Sequence, residues 1–83
     1  MKVTLTAKER DLLVSFLSAG LSRAIENATP AGSAFHVQLS DEEADEIRDA
    51  CGDQLQRAGF DEKYELTAVG EMLETLVDKL FVG

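Results

Sequence analysis

Apolar and polar residues alternate in two short stretches of this chain. Val3 and Leu5 alternate with Lys2 and Thr4, and Phe35, Val37 and Leu39 alternate with His36 and Gln38. A period of two puts each apolar set on one face of a strand. Directly after each stretch stands a hydroxyl followed three residues later by glutamate: Thr6 with Glu9, and Ser40 with Glu43. This is a capping box, in which hydroxyl and carboxylate satisfy backbone N–H groups left without partners at a helix start. The stretch Val3–Glu9 thus returns as Val37–Glu43. The likeness is what any strand feeding a capped helix converges on, and two copies fall short of a solenoid.

Behind each cap the apolar period changes to that of a helix. Leu12, Leu13, Phe16, Leu17, Leu21, Ala24, Ile25 and Ala28 form one stripe, which predicts a first helix from the Thr6 cap to about Asn27. Thr29-Pro30-Ala31-Gly32-Ser33 then stops it, through proline's effect on its predecessor and glycine's on the turn. A second helix begins at Ser40 with Ala44, Ile47, Cys51, Leu55 and Ala58 as its seam, and Gly59 stands where a left-handed residue closes a helix. Tyr64-Glu65-Leu66 reads as a brief extended piece. Thr67 caps a third helix, with Gly70 where a glutamate would complete the box. Its stripe is Val69, Met72, Leu73, Leu76, Val77, Leu80 and Phe81, continuing into Val82 and expected to pack against the first helix.

An unbroken first helix would carry the chain roughly 30 Å from the end of the first strand, at 1.5 Å per residue. The second strand would then run back up beside the first, which favours parallel pairing through a right-handed crossover. The expected fold is a small α+β domain in the order β-α-β-α-α, three helices packed on a two-stranded parallel ribbon. An all-α three-helix bundle is the alternative. A lone ribbon is weak, so helices must cover it or a dimer must extend it.

Composition changes this picture little, but charge changes it more. With 83 residues and 45% apolar content the chain makes one domain with a real core, not a disordered segment. No apolar run exceeds three residues, so no membrane span is expected, and the single cysteine gives no disulfide signature. A cytoplasmic setting follows as the default. Of the net charge of −8, residues 40–62 carry −7, from nine acids against Arg48 and Arg57. Such a surface repels phosphate backbones, which argues against direct nucleic-acid binding and permits a basic protein partner.

The acids of the second helix are the leading candidate for function. Glu42, Glu46, Asp49 and Asp53 follow at three- and four-residue steps, with Asp45 alongside. Like charges so spaced cost roughly 0.2–0.5 kcal/mol a pair. Such a line serves either as a solvated face or as a docking stripe for a Lys/Arg-rich partner. At the end of the third helix, Leu80 and Phe81 extend an apolar stripe broad enough to serve a partner or a homodimer.

Other chemistry is poorly provided for. No Asp-x-Asp-x-Asp-Gly calcium loop occurs, and one histidine with one cysteine cannot make a zinc site. Cys51 falls on an apolar seam, where a thiol stays protonated and inert, and His36 falls on the polar side of its strand. Leu39-Ser40-Asp41 departs at both flanks from the Asp-Ser-Leu motif on which acyl carrier proteins hold phosphopantetheine. No phosphate loop, nucleophile elbow or HExxH motif is present, so no cofactor and no catalytic group is expected. Gly20, Gly52 and Gly70 each fall inside a predicted helix at a cost of about 1 kcal/mol, which close backbone approach or, at Gly52, a kink would explain. The resulting expectation is a non-enzymatic protein-interaction or regulatory domain using Glu42, Asp45, Glu46, Asp49, Asp53, Leu80 and Phe81. The alternative is an acidic inhibitor (an immunity protein, antitoxin or nucleic-acid mimic) that blocks a basic site.

Overall fold

The computed structural model describes residues 1–81. It is an α+β fold with elements β1 (Lys2–Thr6), α1 (Ala7–Phe16), α2 (Ala19–Glu26), β2 (Thr29–Ala31), β3 (Ala34–Gln38), α3 (Asp41–Ala58) and α4 (Ala68–Lys79). Both capping boxes form as the sequence requires. Thr6 accepts from the Glu9 N–H at 3.1 Å while Glu9 accepts from the Thr6 N–H at 2.8 Å. Ser40 and Glu43 repeat this at 3.1 and 2.9 Å. Thr67 caps α4 through the Gly70 N–H alone. These starts decide which side chains turn inward: Ile47 and Cys51 are buried while Glu46 and Asp53 face water. At the far end of that seam Ala58 is exposed.

The strands form a three-stranded antiparallel sheet in the order β1-β3-β2, not a two-stranded parallel ribbon, and the all-α bundle is excluded with it. The segment Thr29–Ala31 is the cause. It runs in the same direction as β1, both being antiparallel to β3, but it then turns back through Gly32 and Ser33 into β3. The returning strand, not the ascending one, lies beside β1, with Val3 opposite Val37 and Leu5 opposite Phe35. Proline and glycine act here as hairpin residues. Gly32 takes the positive φ of 65° that a two-residue hairpin turn needs. Pro30 lies opposite Phe35, one step from the pair that closes the turn, so its nitrogen faces the open edge where no N–H is required.

The single first helix is also corrected to two. Leu17 and Ser18 are extended, with ψ of 155° and 160°, and the chain turns a corner there. The Ser22 hydroxyl donates to the Leu17 carbonyl at 3.2 Å and holds the corner. The apolar stripe continues through the break because Leu13 of α1 and Ile25 of α2 both reach the same core.

That core lies between the inner face of the sheet (Val3, Leu5, Val37) and the helices, which contribute Leu13, Ile25, Ala44, Ile47, Cys51, Leu73 and Leu76. Here α4 packs chiefly on α3, not on the first helix. The connection between these two helices runs over residues 59–67. It is tied by the Asp61 carboxylate, which accepts from the N–H groups of Lys63 and Glu65 at 2.8 and 3.0 Å. Within it Phe60 and Leu66 bridge, while Tyr64 holds a φ of 61° in place of the extended piece expected around it. Gly59 is right-handed, with φ −85°, instead of the left-handed closing residue. The reason for glycine there is space. A Cβ would stand 2.4 Å from Leu55 Cδ1, and a Cβ on Gly70 would stand 2.2 Å from the Gly59 carbonyl oxygen. The stripe's extension through Val82 lies outside the described residues.

Candidate functional site

Two helices meeting as a hairpin leave a groove where their surfaces part. On α3, Arg48, Asp49, Gly52, Asp53 and Gln56 recur at one-, three- and four-residue steps and so share one side of the helix. On the other side of the groove are Val77 of α4 and, two residues past that helix, Phe81. The groove is shallow, with a volume of about 550 Å³.

Phe81 is its most unusual member. It is 63% exposed, although Leu80 beside it is buried at 1%. Leu80 therefore belongs to the core, and of the two apolar residues expected at this end only Phe81 is presented to solvent. Arg48 holds its guanidinium 5.5 Å from the centre of the Phe81 ring. At that distance a cation is attracted to the ring face. Arg48 also pairs with Asp45 at 3.4 Å, which links the aromatic ring to the acidic line.

The structure brings together only part of the acidic line. Asp49 and Asp53 border the groove beside Phe81, whereas Glu42, Asp45 and Glu46 lie nearer the start of α3 and outside it. All five are exposed. Asp53 pairs with Arg57 at 3.2 Å, so the face is not a bare field of negative charge. Among the described residues Glu42, Glu46 and Asp49 form no ion pair. Arg48 and Gly52 were missed as site residues by sequence reasoning. Arg48 could have been found from its spacing, since it follows Asp45 by three and precedes Gly52 by four.

The remaining candidates fall elsewhere. Cys51 is fully buried in the α3 seam, and burial pushes its thiol up to about 12. His36 lies on the outer face of the sheet, opposite Thr4 and Thr29, in a concavity of about 560 Å³ that also contains Lys2 and Gln38. With Cys51 in the core and His36 on the outer face of the sheet, the two form no nucleophile pair. Among the described residues no three His, Cys, Asp or Glu side chains are grouped as metal ligands, and no helix is long and apolar enough to cross a membrane. Comparison with protein-family models, curated proteins and solved structures gave no match.

Proposed function

We propose that this chain is a non-enzymatic protein-interaction domain that engages a basic partner through the acidic side of α3 and the end of α4. The observation that carries this reading is Phe81, a large aromatic side chain held 63% exposed at the rim of a groove bordered by Asp49 and Asp53. An aromatic anchor beside charged groups is the composition in which a few residues supply most of an interface's affinity. The net charge of −8 adds long-range attraction for a basic partner and repulsion of nucleic-acid phosphates. A cytoplasmic setting agrees with a lone cysteine that is buried and unpaired.

The same details weigh against a purely electrostatic blocker. Asp45 and Asp53 already hold Arg48 and Arg57, which lowers the charge available to a basic active site. An apolar anchor with a charged rim loses affinity only moderately with salt, whereas an acidic mimic loses it steeply. The test is retention of a host protein by the immobilised chain and by its charge-reversed variant Glu46→Lys, Asp49→Lys, Asp53→Lys. The wild-type chain is expected to hold a discrete partner at low salt and the variant to release it, both remaining folded. Equal retention by the two chains would contradict the proposal.

A further inference from the structure

Gly52 lies in the interior of α3, where a glycine costs a helix about 1 kcal/mol relative to alanine. Packing among the described residues does not account for it. A Cβ built on Gly70 meets the Gly59 backbone, but a Cβ built on Gly52 finds no atom within 4 Å. The helix is continuous across Gly52, from Asp41 to Ala58, and no break marks a kink there. Gly52 instead lies in the α3–α4 groove, with Asp49 and Asp53 beside it and Val77 and Phe81 across from it. The missing side chain leaves a notch between an acidic rim and an apolar wall.

We infer that this notch seats an apolar side chain of a partner's basic amphipathic helix, whose Lys or Arg residues pair with Asp49, unpaired among the described residues, and displace the exposed Arg57 from Asp53. This rests on the interaction reading above and specifies its occupant. Three features of the groove select that chemistry. Asp49 and Asp53 are one helical turn apart, the same spacing at which two basic residues of a partner helix repeat. From Arg48 to Gln56 the groove runs roughly 12 Å at 1.5 Å per residue, long enough for about two turns of helix. The chain's own Arg48 already lies over the Phe81 ring at 5.5 Å, which shows that this ring accepts a guanidinium at its face. A helix laid in a groove uses such regularly spaced anchors.

The inference has an unusual signature, because the same methyl group should help the fold and harm the interface. Gly52→Ala places a Cβ in open space on a helix, so the melting temperature should rise by about 4 °C. It also fills the notch, so affinity should fall about tenfold. The probe is a displayed library of 14-residue peptides, selected against the full chain at low salt and then measured one by one by fluorescence anisotropy. Selected peptides are expected to carry an apolar residue flanked by Lys or Arg, to weaken about tenfold with Gly52→Ala, and to weaken with Asp49→Asn or Asp53→Asn. Four results would overturn the inference: no enrichment of such peptides, unchanged binding by Gly52→Ala, a lower melting temperature in that variant, or self-association that Gly52→Ala abolishes. The last would assign the notch to a second copy of this chain. If the host partner is lost on charge reversal yet indifferent to Gly52→Ala, the notch fails and the interaction reading stands. Indifference to both removes the reading itself.

Discussion

Glu9 shows how much a single residue can carry beyond what its sequence position reveals. Its spacing from Thr6 makes it a cap, and it does cap α1. It is also only 5% exposed and accepts from Lys79 Nζ at 2.7 Å. Lys79 in turn donates to the Thr4 carbonyl at 3.1 Å. In the ladder Met1 exchanges both hydrogen bonds with Leu39, so the backbone groups of Lys2, Thr4 and Thr6 point away from β3. Glu9 and Lys79 therefore occupy two groups on the free edge of β1, a charged cover of the kind that keeps edges from pairing with other chains. The cap was legible because its partners are three residues apart. The ion pair was not, because nothing local connects Glu9 with a lysine in the last helix. Cys51 was legible too, as the seam residue it proves to be. Its thiol stays neutral in the folded chain up to about pH 12 but ionises from 9.0 once unfolded, so ionisation favours unfolding as pH rises through that window. The stability margin of wild type over Cys51→Ala should therefore be constant below about pH 9 and shrink above it. Denaturant titrations of both proteins across that range measure this, and a margin independent of pH would contradict it.

At the scale of elements, caps and alternation placed the three capped helices and two of the strands, while direction and continuity escaped. The corner at Leu17–Ser18 was hidden because α1 and α2 bury their apolar residues in one core, so the stripe shows no interruption. Ser18 followed by Gly20 was the available signal, a cap candidate before a weak helix former. The hairpin is hidden in the sequence because Pro30 and Gly32 look like loop residues. At an open edge and in a two-residue turn they belong to the sheet. The three glycines inside predicted helices look alike in sequence, but a Cβ on Gly20 or Gly52 meets nothing within 4 Å and only Gly70 is crowded. A Cβ on Gly70 would stand 2.2 Å from Gly59 backbone, at the contact that seats the start of α4 on the end of α3. Gly70→Ala should therefore cost about 2 kcal/mol, since backbone must shift to admit the methyl. The test is urea unfolding of Gly70→Ala and Gly52→Ala together. The first is expected below wild type in midpoint and the second above it, and the same sign for both would contradict this account of the two sites.

Across the whole molecule, the core and the groove answer to different demands. Leu73, Leu76 and Leu80 of the last helical stripe are fully covered, and α4 packs chiefly on α3. Phe81 continues the same apolar run yet stays outside the core, in the groove with Asp49 and Asp53. The acidic residues were legible as a set, because charge and spacing are written in the sequence. Which two of them border a groove was not, because that depends on where α4 ends against α3. The role proposed for Phe81 is in binding, with little contribution to folding. The most direct measurement is Phe81→Ala, taken through thermal melting and through titration with the retained host partner. A stability change within about 0.5 kcal/mol is expected, as for surface positions, together with a loss of affinity of about tenfold or more. A variant that melts well below wild type while holding the partner with undiminished affinity would contradict it.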